Sequence, residues 1–121
     1  MNIAVWIVSG LLALLYVFTG GAKILRSKEA LAPTMSWTRS AKPGVIKAVG
    51  ILEILGAVGL ILPWLTGIVP ILTPIAAVGL VLLQAGAIVV HIRIGEAKSV
   101  PFNATLLLLA AFVAVFRFIA L

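Results

Sequence analysis

Charge is confined to a few places in this chain, and the gaps between those places are long enough to cross a membrane. Six of the nine basic residues fall between Lys23 and Lys47, and Arg93 and Lys98 bracket a later turn. What remains is four apolar runs, over about residues 3–25, 45–62, 71–94 and 101–121. A bilayer core needs about 20 apolar residues in helical form. Backbone polar groups in lipid must be satisfied within the segment itself, so runs of this length become helices. The expected fold is all-α, an antiparallel bundle of four transmembrane helices in a single membrane domain, 1–121, with 27–44 as its longest loop. Only 10% of the residues are charged, against about 25% in soluble domains, so a water-soluble globule is excluded.

Local signals set the boundaries. Pro33 and Pro43-Gly44 punctuate the basic loop around Trp37, read as a headgroup anchor. The second span is expected to stop near Pro63-Trp64. Thr73 is the expected N-cap of the third span with Pro74 in its first turn. Ser99 and Pro101 are expected to open the fourth, with Asn103 as a cap or early-turn polar group. The N-terminus lacks the basic region of a signal peptide, so the first span is expected to be retained. Basic loops face the cytoplasm; on that rule both termini and the 63–74 linker lie outside, and the localisation is a multi-pass cell-membrane protein. Arg117 runs against this rule and is expected to snorkel outward.

One acid lies inside these spans. Glu53 sits in Gly50–Pro63, GILEILGAVGLILP, and its helical neighbours are Val49, Gly50, Gly56 and Ala57. Three of those four are small, so another helix can approach closely. A carboxylate at such depth costs about 2.5–3.5 kcal/mol on insertion scales and ordinarily faces a partner inside the bundle. Counting inward from the basic ends at 1.5 Å per residue, Lys23 and His91 lie about 3–5 Å deep, Glu53 about 12 Å, Tyr16 about 14 Å and Gln84 about 15 Å. Tyr16 and Lys23 are seven apart on the first span, as are Gln84 and His91 on the third, so each pair shares a face. The five residues are therefore expected to converge in the cytoplasmic half of the bundle, with Lys23 or His91 answering Glu53. Each also has a plainer role: Lys23 as a snorkelling anchor, His91 as a hydrogen-bonded structural group, Gln84 as interhelical glue, Tyr16 as filler. Gly79 with Gly86 and Ala110 with Ala114 read as packing grooves.

Much chemistry is set aside by what the chain lacks. It has one histidine, no cysteine and no aspartate, so a zinc site, bis-histidine haem ligation and thiol redox chemistry have no ligands here. Glycines at helix-packing spacing do not make a phosphate loop, and no nucleophile elbow accompanies a triad. No catalytic residue and no metal ligand is assigned, and an enzyme acting on its own is not expected. The net charge of +6 flanks the spans, as orientation signals and lipid contacts do, and does not point to nucleic acid.

The order of features resembles the DoxX-like family of small four-helix membrane proteins over nearly the whole length. The residues that carry the resemblance are Phe18-Thr19-Gly20-Gly21-Ala22-Lys23, then Gly50-Ile51-Leu52-Glu53 with Gly56, Gly59 and Leu62-Pro63, then His91 and Gly95-Glu96. The resemblance implies the bundle and polar positions at Lys23, Glu53 and His91. It also implies association with membrane redox complexes, since the family takes its name from a subunit of a thiosulfate:quinone oxidoreductase, or chaperone-like assistance to other membrane proteins. The expected function is a membrane accessory or chaperone-like protein that binds another membrane component (a protein subunit, a lipid or a quinone) through the polar cluster. The alternatives are a small proton-coupled transporter using Glu53, and a non-catalytic subunit of a quinone-linked oxidoreductase. No cofactor of its own is expected, quinone being the one candidate. Membrane lipids are the expected partners, with a membrane protein or a second copy of the chain left open.

Overall fold

The computed structural model describes residues 2–31 and 42–121; Trp37 and most of the basic loop lie outside them. Among the described residues five α-helices follow one another: α1 Asn2–Leu25, the short α2 Lys28–Leu31, α3 Pro43–Thr66, α4 Leu72–Arg93 and α5 Val100–Ile119, with a 3₁₀ turn at Ala97–Ser99. Four of these segments are long and apolar enough to cross a membrane. They form an antiparallel four-helix bundle in which α1 packs on α3, α3 on α4, α4 on α5 and α5 on α1, leaving α1 diagonal to α4 and α3 diagonal to α5.

Each long helix buries one stripe. On α1 it is Val5, Ser9, Leu12, Tyr16, Gly20 and Lys23; the steps of three and four place all six on one face. The outer faces are as apolar as the core, with Leu14, Phe18, Leu55, Leu82 and Leu108 all exposed, as lipid requires and water does not. Small residues let the backbones meet. A methyl on Gly20 would come within 2.7 Å of the Gly50 carbonyl oxygen, and one on Gly50 within 2.8 Å of the Gly20 oxygen. The α1–α3 crossing thus occurs where both helices are bare, three residues before Lys23 and Glu53 respectively. Between α3 and α4, Gly59 faces Ala76 and Gly56 faces Leu80. Ala110 and Ala114 are buried in the core, whereas Gly79 and Gly86 have nothing within 4 Å of where a Cβ would stand. The expected Gly79–Gly86 groove packs against none of the described residues.

Two boundary expectations are corrected by one interaction. Helix α3 does not stop at Pro63 but runs through it to Thr66, ending on Gly67 in the left-handed region at φ 72°. Proline has no N–H, so the Gly59 carbonyl loses its donor four residues on. The Thr73 hydroxyl of α4 donates to that oxygen at 2.8 Å. Thr73 is therefore not a cap; α4 begins at Leu72, with Ile71 in the cap position and no side-chain hydrogen bond there. Ser99 does occupy the cap position of α5, with Pro101 in the first turn, but its side chain makes no capping bond.

Arg117 also departs from expectation. It does not snorkel: only 2% of it is exposed. Its guanidinium carbon stands 4.8 Å from the Trp6 ring centroid and 4.4 Å from that of Trp64, and Nη1 donates to Asn2 Oδ1 at 3.4 Å. Two aromatic faces supply the electron density that water would have given the cation, and the contact ties α1, α3 and α5 together at the linker end.

Candidate functional site

At the opposite, basic end the four spans part around a cavity of about 460 Å³, within the roughly 300–1,000 Å³ typical of small-molecule sites. Tyr16, Lys23, Glu53, Gln84 and His91 all line it, together with Thr19, Glu96, Asn103 and an apolar wall that includes Leu15, Val49, Leu83, Phe102 and Leu106. Every long helix contributes. The polar groups occupy the buried stripes, because a helix that places Gly20 or Gly50 at a close crossing must also turn the residue three positions on toward the same neighbour.

The central contact is an ion pair. Lys23 Nζ donates to Glu53 Oε1 at 2.7 Å, with only 7% and 6% of the two side chains exposed. Thr19, one turn before Lys23, donates its hydroxyl to the other oxygen, Oε2, at 3.0 Å. Glu53 thus has both oxygens engaged by α1. Neighbouring Lys47 donates to the Ile24 carbonyl at 2.9 Å, covering an end of α1 whose last carbonyls have no helical donor. A second contact crosses the bundle diagonal, where Gln84 Nε2 of α4 donates to the Tyr16 hydroxyl of α1 at 2.7 Å. His91 does not answer Glu53. Its Nδ1 faces Glu96 Oε2 at 3.2 Å, five residues along and past a left-handed Gly95 at φ 81°. That turn, with Glu96 N–H donating to the His91 carbonyl at 2.7 Å, brings the acid back over the helix end.

Three participants were not singled out from the sequence as members of the cluster. Thr19 lies one turn from Lys23 on the same face, and that spacing was a usable signal. Glu96 becomes a partner only through the Gly95 reversal. Asn103 sits in the first turn of α5, where a polar residue is ordinarily read as a cap, yet it is 7% exposed and its Nδ2 has no partner. Gln84 Oε1 is likewise buried and unpartnered. One end of the Gln84 amide is thus bound by Tyr16 and the other has no partner. Buried polar atoms left in this state cost about 1–3 kcal/mol each.

A model of the DoxX-like family matches residues 7–113. The chain belongs to the DoxX-like family. The match runs from the first turns of α1 to the last third of α5, so all of the cavity's residues fall inside it. No curated protein matches the chain, and no solved structure does. Among the described residues no cluster of three His, Cys, Asp or Glu stands ready to hold a metal ion.

Proposed function

We propose that this DoxX-like membrane protein is a binding protein, which takes the polar end of a small amphipathic membrane component into the cavity at its basic end. The observation that carries this reading is the cavity itself: mostly apolar, bounded by all four spans, and edged by buried side chains with hydrogen-bonding capacity to spare. Such a combination of an apolar wall with a few convergent polar groups is what small-molecule sites present. A purely structural polar cluster would close on itself, because each unmet group at membrane depth weakens the bundle. An accessory role follows, in which the bundle holds or presents that component to another membrane protein.

The ion pair weighs against Glu53 as the exchanging acid of a transporter. A carboxylate held at 2.7 Å by an ammonium and at 3.0 Å by a hydroxyl is placed to shape a wall, and taking up a proton would give up the charge that answers the buried Lys23. The test of the binding reading is extraction of the protein in mild detergent, followed by mass spectrometry of what accompanies it. The cavity-lining substitution Ala87→Phe serves as the filled control. The wild type is expected to carry a small amphiphile near one per chain and Ala87→Phe to carry much less; equal carriage by both would defeat the reading.

A further inference from the structure

We infer that the head group taken by this cavity is uncharged and bears a hydroxyl, as a glycerol-type head does; this rests on the binding role proposed above. Charge complementarity comes first. The cavity wall holds Lys23 and Glu53 at 2.7 Å, and His91 facing Glu96 at 3.2 Å. An incoming phosphate or carboxylate would face two carboxylates and find Lys23 already engaged by Glu53. An incoming ammonium would face that lysine. Desolvating a charge without a fresh counter-charge is too expensive for either to be the preferred guest.

What the wall leaves open is neutral. Gln84 and Asn103, 5% and 7% exposed, line the cavity, and each has one buried amide atom with no partner. An amide end is a donor if nitrogen and an acceptor if oxygen, and the two are interchangeable by a half-turn of the side chain. A hydroxyl donates and accepts at once, so it answers either end of either amide. A ketone or ester offers acceptors alone and satisfies the amide nitrogens only. Leu15, Val49, Leu83 and Phe102 line the same cavity and suit the start of an acyl chain.

The experiment uses purified full-length protein in lauryldimethylamine oxide, whose own head carries no hydroxyl. Native mass spectrometry follows titration with three probes sharing one chain: 1-oleoylglycerol, methyl oleate and oleate. The expected result is one saturable 1-oleoylglycerol per chain, with methyl oleate and oleate each bound at least about fivefold more weakly, the worth of one neutral hydrogen bond. Asn103→Leu and Gln84→Met should each weaken 1-oleoylglycerol by about fivefold to tenfold and methyl oleate, whose ester can only accept, by less. Asn103→Ser, which keeps a small polar group, serves if the leucine variant does not fold, and should retain more affinity than Asn103→Ala. Oleate binding as tightly as 1-oleoylglycerol, or amide variants with undiminished 1-oleoylglycerol affinity, would overturn the hydroxyl assignment while leaving a ligand cavity in place. If no probe saturates and Ala87→Phe carries as much co-purifying amphiphile as wild type, the binding role itself falls.

Discussion

Removing Lys23 from beneath Glu53 is the perturbation whose consequence can be worked most fully. The two side chains are 7% and 6% exposed and meet at 2.7 Å, so neither is screened by water. Deleting one member of a buried pair costs about 3–5 kcal/mol, because the remaining charge stays desolvated. The two deletions should not be equal. After Glu53→Gln, Lys23 stands only two residues from the end of α1 and its stem can carry the ammonium to the headgroup layer; the Thr19 bond can also survive on the amide oxygen. After Lys23→Met, Glu53 lies about 12 Å inside by helical rise and has no such exit. Lys23→Met should therefore reach the upper part of the range and Glu53→Gln the lower. The double variant Lys23→Met/Glu53→Gln should cost only about 1–3 kcal/mol, since the stranded charge is gone and what is lost is hydrogen bonding. The assay is a double-mutant cycle from reversible unfolding in mixed detergent–SDS micelles, followed by far-UV circular dichroism. Single costs that sum to the double within about 0.5 kcal/mol would mean that the two groups act independently, and the reasoning would fail.

Four other outcomes are expected. Gly20→Ala and Gly50→Ala, whose added methyls meet backbone oxygen at 2.7 and 2.8 Å, should each destabilise by about 1–3 kcal/mol, whereas Gly79→Ala and Gly86→Ala, with open space around them, should be neutral or stabilise by up to about 1 kcal/mol; the same unfolding assay ranks all four. Arg117→Met should cost about 0.5–2 kcal/mol through its lost ring contacts and alter the fluorescence of Trp6 and Trp64; unchanged emission would contradict the stacked geometry. Tyr16→Phe should cost about 1–3 kcal/mol by stranding the Gln84 amide, and Tyr16→Phe/Gln84→Leu should recover part of it in thermal melts. The chain has no cysteine, so single cysteines at Gly67 and Ser99 can report orientation: an impermeant maleimide added to intact cells should label Gly67→Cys and spare Ser99→Cys.

The bundle was legible because run length and charge placement are properties of single segments. Four apolar stretches and a basic turn on either side of the central pair leave few other folds for the chain. Helical rise likewise grouped Tyr16, Glu53 and Gln84 by depth, and the seven-residue spacing put Lys23 on the face of Tyr16, without any knowledge of the helix neighbours. What could not be read were compensations made between segments. Pro63 looked like a stop because proline's missing donor is a local fact, while the Thr73 hydroxyl that replaces it at 2.8 Å comes from the next helix. Arg117 looked like a snorkelling cation because its cage is built from Trp6 and Trp64 on two other helices. His91 was near enough in depth to answer Glu53, and only the Gly95 reversal gives it Glu96 instead. Gly79 and Gly86 have the spacing of a packing face, but spacing does not say which way the face points.

The most direct test of a ligand cavity at the basic end is photo-crosslinking with a monoacylglycerol that carries a diazirine next to its head, followed by peptide mapping. Adducts should concentrate on the cavity wall, at Leu83–His91 of α4 and Phe102–Leu106 of α5, and be suppressed by Ala87→Phe. Adducts spread evenly over lipid-facing positions such as Leu55, Leu82 and Leu108, and indifferent to that substitution, would contradict a ligand cavity there.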